Sequence, residues 1–190
     1  KHQAYFDELH AKEAENLEKK LALIEQLKAI DIEQLKTNKQ WDDASELVQK
    51  LQGEWREIGF APKKQNQQIY EEYRSLCDAF FKAKTAFYKE LRDTFSENLK
   101  LKRELIKKAE ELVNSEDWKN TAEAFIALQK EWKATGPVAH KVSEAIWTRF
   151  NAACNYFFEQ KNAATASVRE VEEANLEKKN AIIEKLVALT

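Results

Sequence analysis

Methionine is absent from the 190 residues, glycine occurs three times, proline twice, cysteine twice and histidine three times. Each scarcity removes a class of chemistry. Three glycines, at 53, 59 and 136, cannot build a glycine-rich phosphate loop, and no Gly-x-Ser-x-Gly elbow presents a nucleophilic serine. A metal site needs clustered His, Cys or carboxylates, and none of His2, His10 and His140 has a neighbour three or four residues away that completes a familiar set. Cys77 and Cys154 fall on apolar helical stripes without an adjacent His, one repeat apart, so neither reads as a nucleophile and a disulfide between them is unexpected. No metal, no cofactor and no enzymatic activity are expected. No apolar run approaches the ~20 residues that cross a bilayer, and no signal peptide is visible, so no membrane contact is expected and a soluble, cytoplasmic protein is. A chain that begins at Lys1 and stops at Thr190 inside helical patterns predicts a longer natural protein.

What is present is helix-forming: 43% hydrophobic and 34% charged residues, with so little Gly and Pro that sheet is not expected. The 31 basic and 33 acidic residues leave a net charge of −2, which gives no global attraction to nucleic acid or membrane.

The strongest signal is internal repetition. At a constant offset of 77 residues, Trp41 matches Trp118, Leu51 Leu128, Trp55 Trp132, Gly59 Gly136, Cys77 Cys154, Phe80 Phe157 and Phe81 Phe158. The offset continues through Asn98/Asn175, Leu99/Leu176, Lys102/Lys179 and Ile106/Ile183, so a third copy begins at Asn175. Upstream, Asn16-Leu17 matches Asn98-Leu99, with five residues inserted before Trp41 relative to the second copy. The expected division is residues 1–15 as the tail of a preceding repeat, 16–97 as unit one, 98–174 as unit two and 175–190 as the start of a third.

Each unit reads as a short helix between two long ones. Ala44, Val48, Leu51, Trp55 and Ile58 recur at spacings of four and three, as do Ala122, Phe125, Leu128, Trp132 and Thr135, which predicts short helices at about 42–58 and 119–135. Gly59 and Gly136 follow where a left-handed capping residue is wanted, and Pro62 and Pro137 come soon after. The stripe of Cys77, Phe80, Phe87, Leu91, Phe95, Leu105, Ala109 and Leu112 runs unbroken, predicting long helices at about 66–113 and 142–189. A helix of about 48 residues extends on the order of 70 Å, so it must serve two units. The expected fold is all-α: an elongated tandem helical repeat with coiled-coil-like packing. Polar turns at Thr37-Asn38-Lys39-Gln40 and Asn114-Ser115-Glu116-Asp117 precede Trp41 and Trp118, which are expected to plug the end of the helix packing.

Two groups of charged residues are candidates for binding. Both units share Glu54, Arg56 and Lys64 or their counterparts Glu131, Lys133 and Lys141, which either pair across the helical hairpin or present a recurring patch to a partner. The other group, Lys82, Lys89, Arg92, Lys100, Arg103 and Lys107, lies within an arc of about 80° on a helical wheel, away from the apolar stripe. It could follow a phosphate backbone, although neighbouring acids make a solvated, ion-paired face the simpler reading, and the shifted positions Glu159, Ala166, Arg169, Glu177, Asn180 and Glu184 lose the stripe. The leading expectation is a non-enzymatic scaffold or adaptor for a protein partner; RNA or ribosome binding through the basic stripe is the alternative, and a homodimer through exposed long helices stays open.

The string Leu128 to Val138, with Glu131-Trp132-Lys133 and Gly136-Pro137-Val138, followed by Trp147-Thr148-Arg149-Phe150 and Phe157-Phe158, resembles the bacterial family known as domain of unknown function 349. The resemblance covers both units and implies a bacterial, cytoplasmic protein with several helical repeats; it implies no activity. Unit one departs from it at Phe60-Ala61-Pro62 and at Tyr70-Glu71-Glu72-Tyr73, so that Arg149, a further partner-binding candidate, has Glu72 in its place.

Overall fold

Residues 2–188 are described by a computed structural model, in which the chain is all-α. Helix α1 spans His2–Lys28, a 3₁₀ turn Ile32–Gln34, α2 Asn38–Glu57, α3 Lys63–Leu112, α4 Trp118–Ala134 and α5 His140–Val187. No strand occurs among the described residues. The end of the second long helix expected at position 189, and Lys1 of the expected tail, lie outside them.

The short-helix starts follow from local hydrogen bonding. Thr37 Oγ1 accepts from the Gln40 amide at 3.2 Å, while Gln40 Oε1 accepts from the Thr37 amide at 3.0 Å and the Lys36 amide at 2.8 Å. This capping box satisfies amides that the helix itself leaves unpaired, so α2 begins at Asn38, one turn before the expected start. In α4, Asp117 accepts from the Asn120 amide at 3.3 Å. The five extra residues of unit one are taken up in the longer connection between α1 and α2, which contains the three-residue 3₁₀ turn capped by Asp31.

At the other end of α2 and α4 the expected left-handed glycine is not found. Ile58 (φ −76°, ψ 128°) and Thr135 (φ −71°, ψ 130°) end the helices in extended conformation, and no glycine has a positive φ. The requirement is one of space. A Cβ on Gly59 would stand 2.9 Å from Asn16 Nδ2, and one on Gly136 would stand 2.7 Å from Asn98 Nδ2.

The chain divides into two compact units, residues 1–90 and 91–190, and α3 contributes to both. In unit one Leu23, Ile24 and Leu27 of α1 pack with Trp41, Val48, Leu51 and Trp55 of α2 and with Ile69, Cys77 and Phe80 of α3. Trp41 is buried against Phe80 and Phe87, each 5.5 Å away by ring centroid. In unit two Leu105, Ile106 and Ala109 of α3 pack with Ala122, Phe125, Leu128 and Trp132 of α4 and with Phe150, Cys154 and Phe157 of α5. The two cores exchange volume at matched positions: where unit one has Leu27 and Val48, unit two has Ala109 and Phe125, all buried. Such compensation keeps a core filled while its sequence changes.

Candidate interaction surface

Four contacts recur in both units and fix how each short helix lies between its long ones. Asn16 Nδ2 donates to the Phe60 carbonyl at 2.9 Å, and Asn98 Nδ2 donates to the Pro137 carbonyl at 2.7 Å. One turn later Lys20 Nζ sits 4.9 Å above the Trp55 ring, and Lys102 Nζ 4.8 Å above that of Trp132. The opposite edge of the column is a parallel stack, Trp55 on Tyr73 at 4.0 Å and 5°, Trp132 on Phe150 at 4.3 Å and 7°. An ammonium on an indole face is attracted by the ring quadrupole, and the attraction grows as water is excluded. Burial pushes both lysines below the ordinary ammonium range.

The fourth contact joins the two long helices of a unit. In unit one Lys28 Nζ meets Glu72 at 2.7 Å; in unit two Arg149 meets Glu110 through two hydrogen bonds, one of 2.8 Å. Glu72 stands where Arg149 does and Lys28 where Glu110 does, so the bridge is kept with its charges exchanged. Arg149 therefore does have a counterpart, because the repeated property is the pair and not either residue. Each bridge also raises its cation above the ordinary range, Lys28 chiefly through the hydrogen bond it donates to Glu72 and Arg149 through those it donates to Glu110.

Unit one carries a phenol in its stack where unit two carries Phe150. Burial first, then the neighbouring Cys77, pushes Tyr73 up to about 12. An acid whose folded pKa exceeds its unfolded value favours the folded state less once the unfolded chain ionises, so stability falls as pH rises from about 10 to about 12. Tyr73→Phe is expected to make that fall shallower. Urea midpoints at about pH 9 and pH 11 check this, and a variant with an unchanged pH slope would show that Tyr73 titrates normally.

Burial likewise raises the Cys77 and Cys154 thiols, which keeps them protonated inside the cores.

The expected partner-binding residues occupy the outside of this framework. Among the described residues Glu54 pairs within its own helix, with Lys50 at 3.8 Å. Arg56, Lys64, Glu131, Lys133 and Lys141 are exposed and form no ion pair among the described residues, so the charges do not pair across the hairpin as one reading had them. Of the two bridges that cross elements among the described residues, Lys28–Glu72 and Arg149–Glu110, the second uses the candidate Arg149, which is thus engaged in its unit. Of the basic group on α3, Lys82 and Lys89 lie in unit one and Arg92, Lys100, Arg103 and Lys107 in unit two; all are exposed. Lys100 is held by Glu97 at 2.9 Å and Lys107 approaches Glu111 at 3.9 Å, which neutralises half of the unit-two cluster.

Sequence reasoning named Arg56 and Lys133 but missed the aromatic residues Tyr70 and Trp147 that line the same clefts beside the stacks. In unit one a cleft of about 400 Å³ is bordered by Lys20, Trp55, Arg56, Phe60, Asn66 and Tyr70. In unit two one of about 240 Å³ is bordered by Gln129, Trp132, Lys133, Trp147, Phe150 and Asn151. They share three matched positions: the buried tryptophan, the cation after it (Arg56 or Lys133), and an exposed aromatic, Tyr70 or Trp147. Tyr70 is 44% and Trp147 48% exposed, high for rings that adjoin an aromatic stack. The available signal was the aromatic at both 70 and 147 beside Ile69 and Ile146, which a search for identical residues passes over.

A family model described as Domain of Unknown Function (DUF349) matches residues 1–64, 68–141 and 145–190, its second and third segments starting 77 residues apart. No curated protein and no solved structure gives a significant match. No described helix is long and apolar enough to cross a membrane.

Proposed function

The chain belongs to the Domain of Unknown Function (DUF349) family, and from that premise we propose that it is a non-enzymatic helical-repeat scaffold of the bacterial cytoplasm that binds a protein partner. The observation that carries this reading is the matched pair of clefts, each with an exposed aromatic ring beside a cation that forms no ion pair among the described residues, at the same place in successive units. Tryptophan, tyrosine and arginine are the residue types that dominate binding energy at protein interfaces, which covers Tyr70, Trp147 and Arg56, while Lys133 supplies charge alone. Arg56 and Lys133 border the clefts themselves, and the other candidates Glu54, Lys64, Glu131 and Lys141 would extend the contact beyond them. Lysine-directed crosslinking of the complete protein in cells, with identification of the crosslinked peptides, is expected to place one protein partner at Lys64, Lys133 and Lys141. Trp147→Ala together with Lys133→Glu should weaken its capture at least about tenfold. RNA recovered in proportion to the protein, with no protein crosslinks at these positions, would overturn the reading.

A second reading, RNA or ribosome binding, is favoured by Arg92 and Arg103, which are exposed and without an ion pair among the described residues of unit two. It requires affinity that falls steeply with salt and that Arg103→Glu weakens. Binding indifferent to both would exclude it.

A further inference from the structure

Residues 175–187 of α5 repeat the register of the helix face that each short helix covers. Asn175 stands in the place of Asn16 and Asn98, Lys179 in that of Lys20 and Lys102, and Ile182, Ile183 and Leu186 in those of Leu23, Ile24, Leu27 and of Leu105, Ile106, Ala109. The six counterparts in the two cores are at most 5% exposed, whereas Ile182, Ile183 and Leu186 are 59%, 56% and 60% exposed. Asn175 and Lys179 are exposed as well, without the carbonyl and the indole that their counterparts engage among the described residues.

We infer that this face is a docking surface for a helical hairpin of the repeat's own kind, a short helix with a tryptophan four residues before a glycine, turning into a longer helix. The polar and apolar positions together specify that occupant. Asn175 Nδ2 requires a carbonyl one residue beyond a glycine, since any Cβ at the glycine position would collide with it, as at Gly59 and Gly136. Lys179 requires an aromatic face one helical turn away, as Trp55 and Trp132 supply. Leu186 is the larger residue found at Leu27, where the short helix carries Val48, rather than the small one at Ala109, where it carries Phe125. The occupant is therefore of the α2–α3 type, with a small β-branched residue opposite Leu186. Val187 replaces Lys28 and Glu110, so its long helix needs no charge at the bridging place.

The surface is distinct from the clefts of the proposed function, and its test is independent of them. The 190-residue chain, labelled with ¹⁵N, is titrated with a peptide of residues 37–83, and the same segment is separately joined after Thr190 through a flexible Gly/Ser linker, which raises its effective concentration to about millimolar. Saturable amide shifts confined to 175–187 are expected in the first case, and slowed amide exchange at 182–186 in the second. Ile183→Asp, at a position exposed in the chain alone, should weaken binding at least about tenfold. Asn175→Ala should weaken it about fivefold, and a peptide of residues 114–160 should bind less well than 37–83. The inference is overturned if neither form protects the face, if Ile183→Asp leaves binding unchanged, or if light scattering shows the chain pairing with itself through 175–187 and the peptide does not displace the second copy.

Discussion

Phe157→Ala is expected to lower the stability of unit two by about 3–5 kcal/mol, the range for removing a fully buried aromatic ring. Phe157 has no exposed surface and stacks on Phe125 at 4.7 Å and 17°, with Phe158 edge-on at 5.3 Å and Trp118 at 5.9 Å. Truncation removes these contacts at once and leaves a void that rigid helices on three sides cannot fill. Because the chain has two compact units, a single unfolding curve is a poor readout, and amide exchange in α4 measured against that in α2 isolates the effect. A loss below about 1 kcal/mol in α4 would mean that Phe157 does not hold the core together.

Trp132→Ala is expected to cost a similar amount, about 3–5 kcal/mol, for a different combination of reasons. The indole is buried, stacked on Phe150, and covered on its other side by the Lys102 ammonium. Removing it exposes Phe150 and leaves a half-buried lysine with no attractive face. Lys102→Met should therefore be destabilising when Trp132 is present and close to neutral when Trp132 is Ala, with a coupling of about 0.5–2 kcal/mol. Additive losses would show that the lysine only lies near the ring.

The parts of this structure that were legible from the sequence are those encoded in periodicity. Val48, Leu51 and Trp55, and Phe125, Leu128 and Trp132, share a helical face, and all are buried. The long helices follow from the absence of Gly and Pro between Lys63 and Leu112. What escaped depends on which residues meet across helices. Gly59 looked like a left-handed cap because its clash is with Asn16, far away in sequence. Lys20 and Lys102 look like solvated lysines until the indoles beneath them are placed. Glu72 and Arg149 look like a mismatch when compared with each other and like one bridge when compared with Lys28 and Glu110. The start of α2 was misplaced because Asn38, Lys39 and Gln40 have turn-like polarity yet form the first helical turn under the Thr37 cap.

Matched positions in the two units do the same physical work, and parallel double-mutant cycles at Asn98/Gly136 and at Asn16/Gly59 test that most directly. Gly136→Ala and Gly59→Ala should each cost about 1–2 kcal/mol by driving the asparagine off its carbonyl. Each should cost only a few tenths once the asparagine is Ala, giving coupling of the same sign and about the same size in both units. Additive losses in both units, or coupling in one and none in the other, would contradict the account.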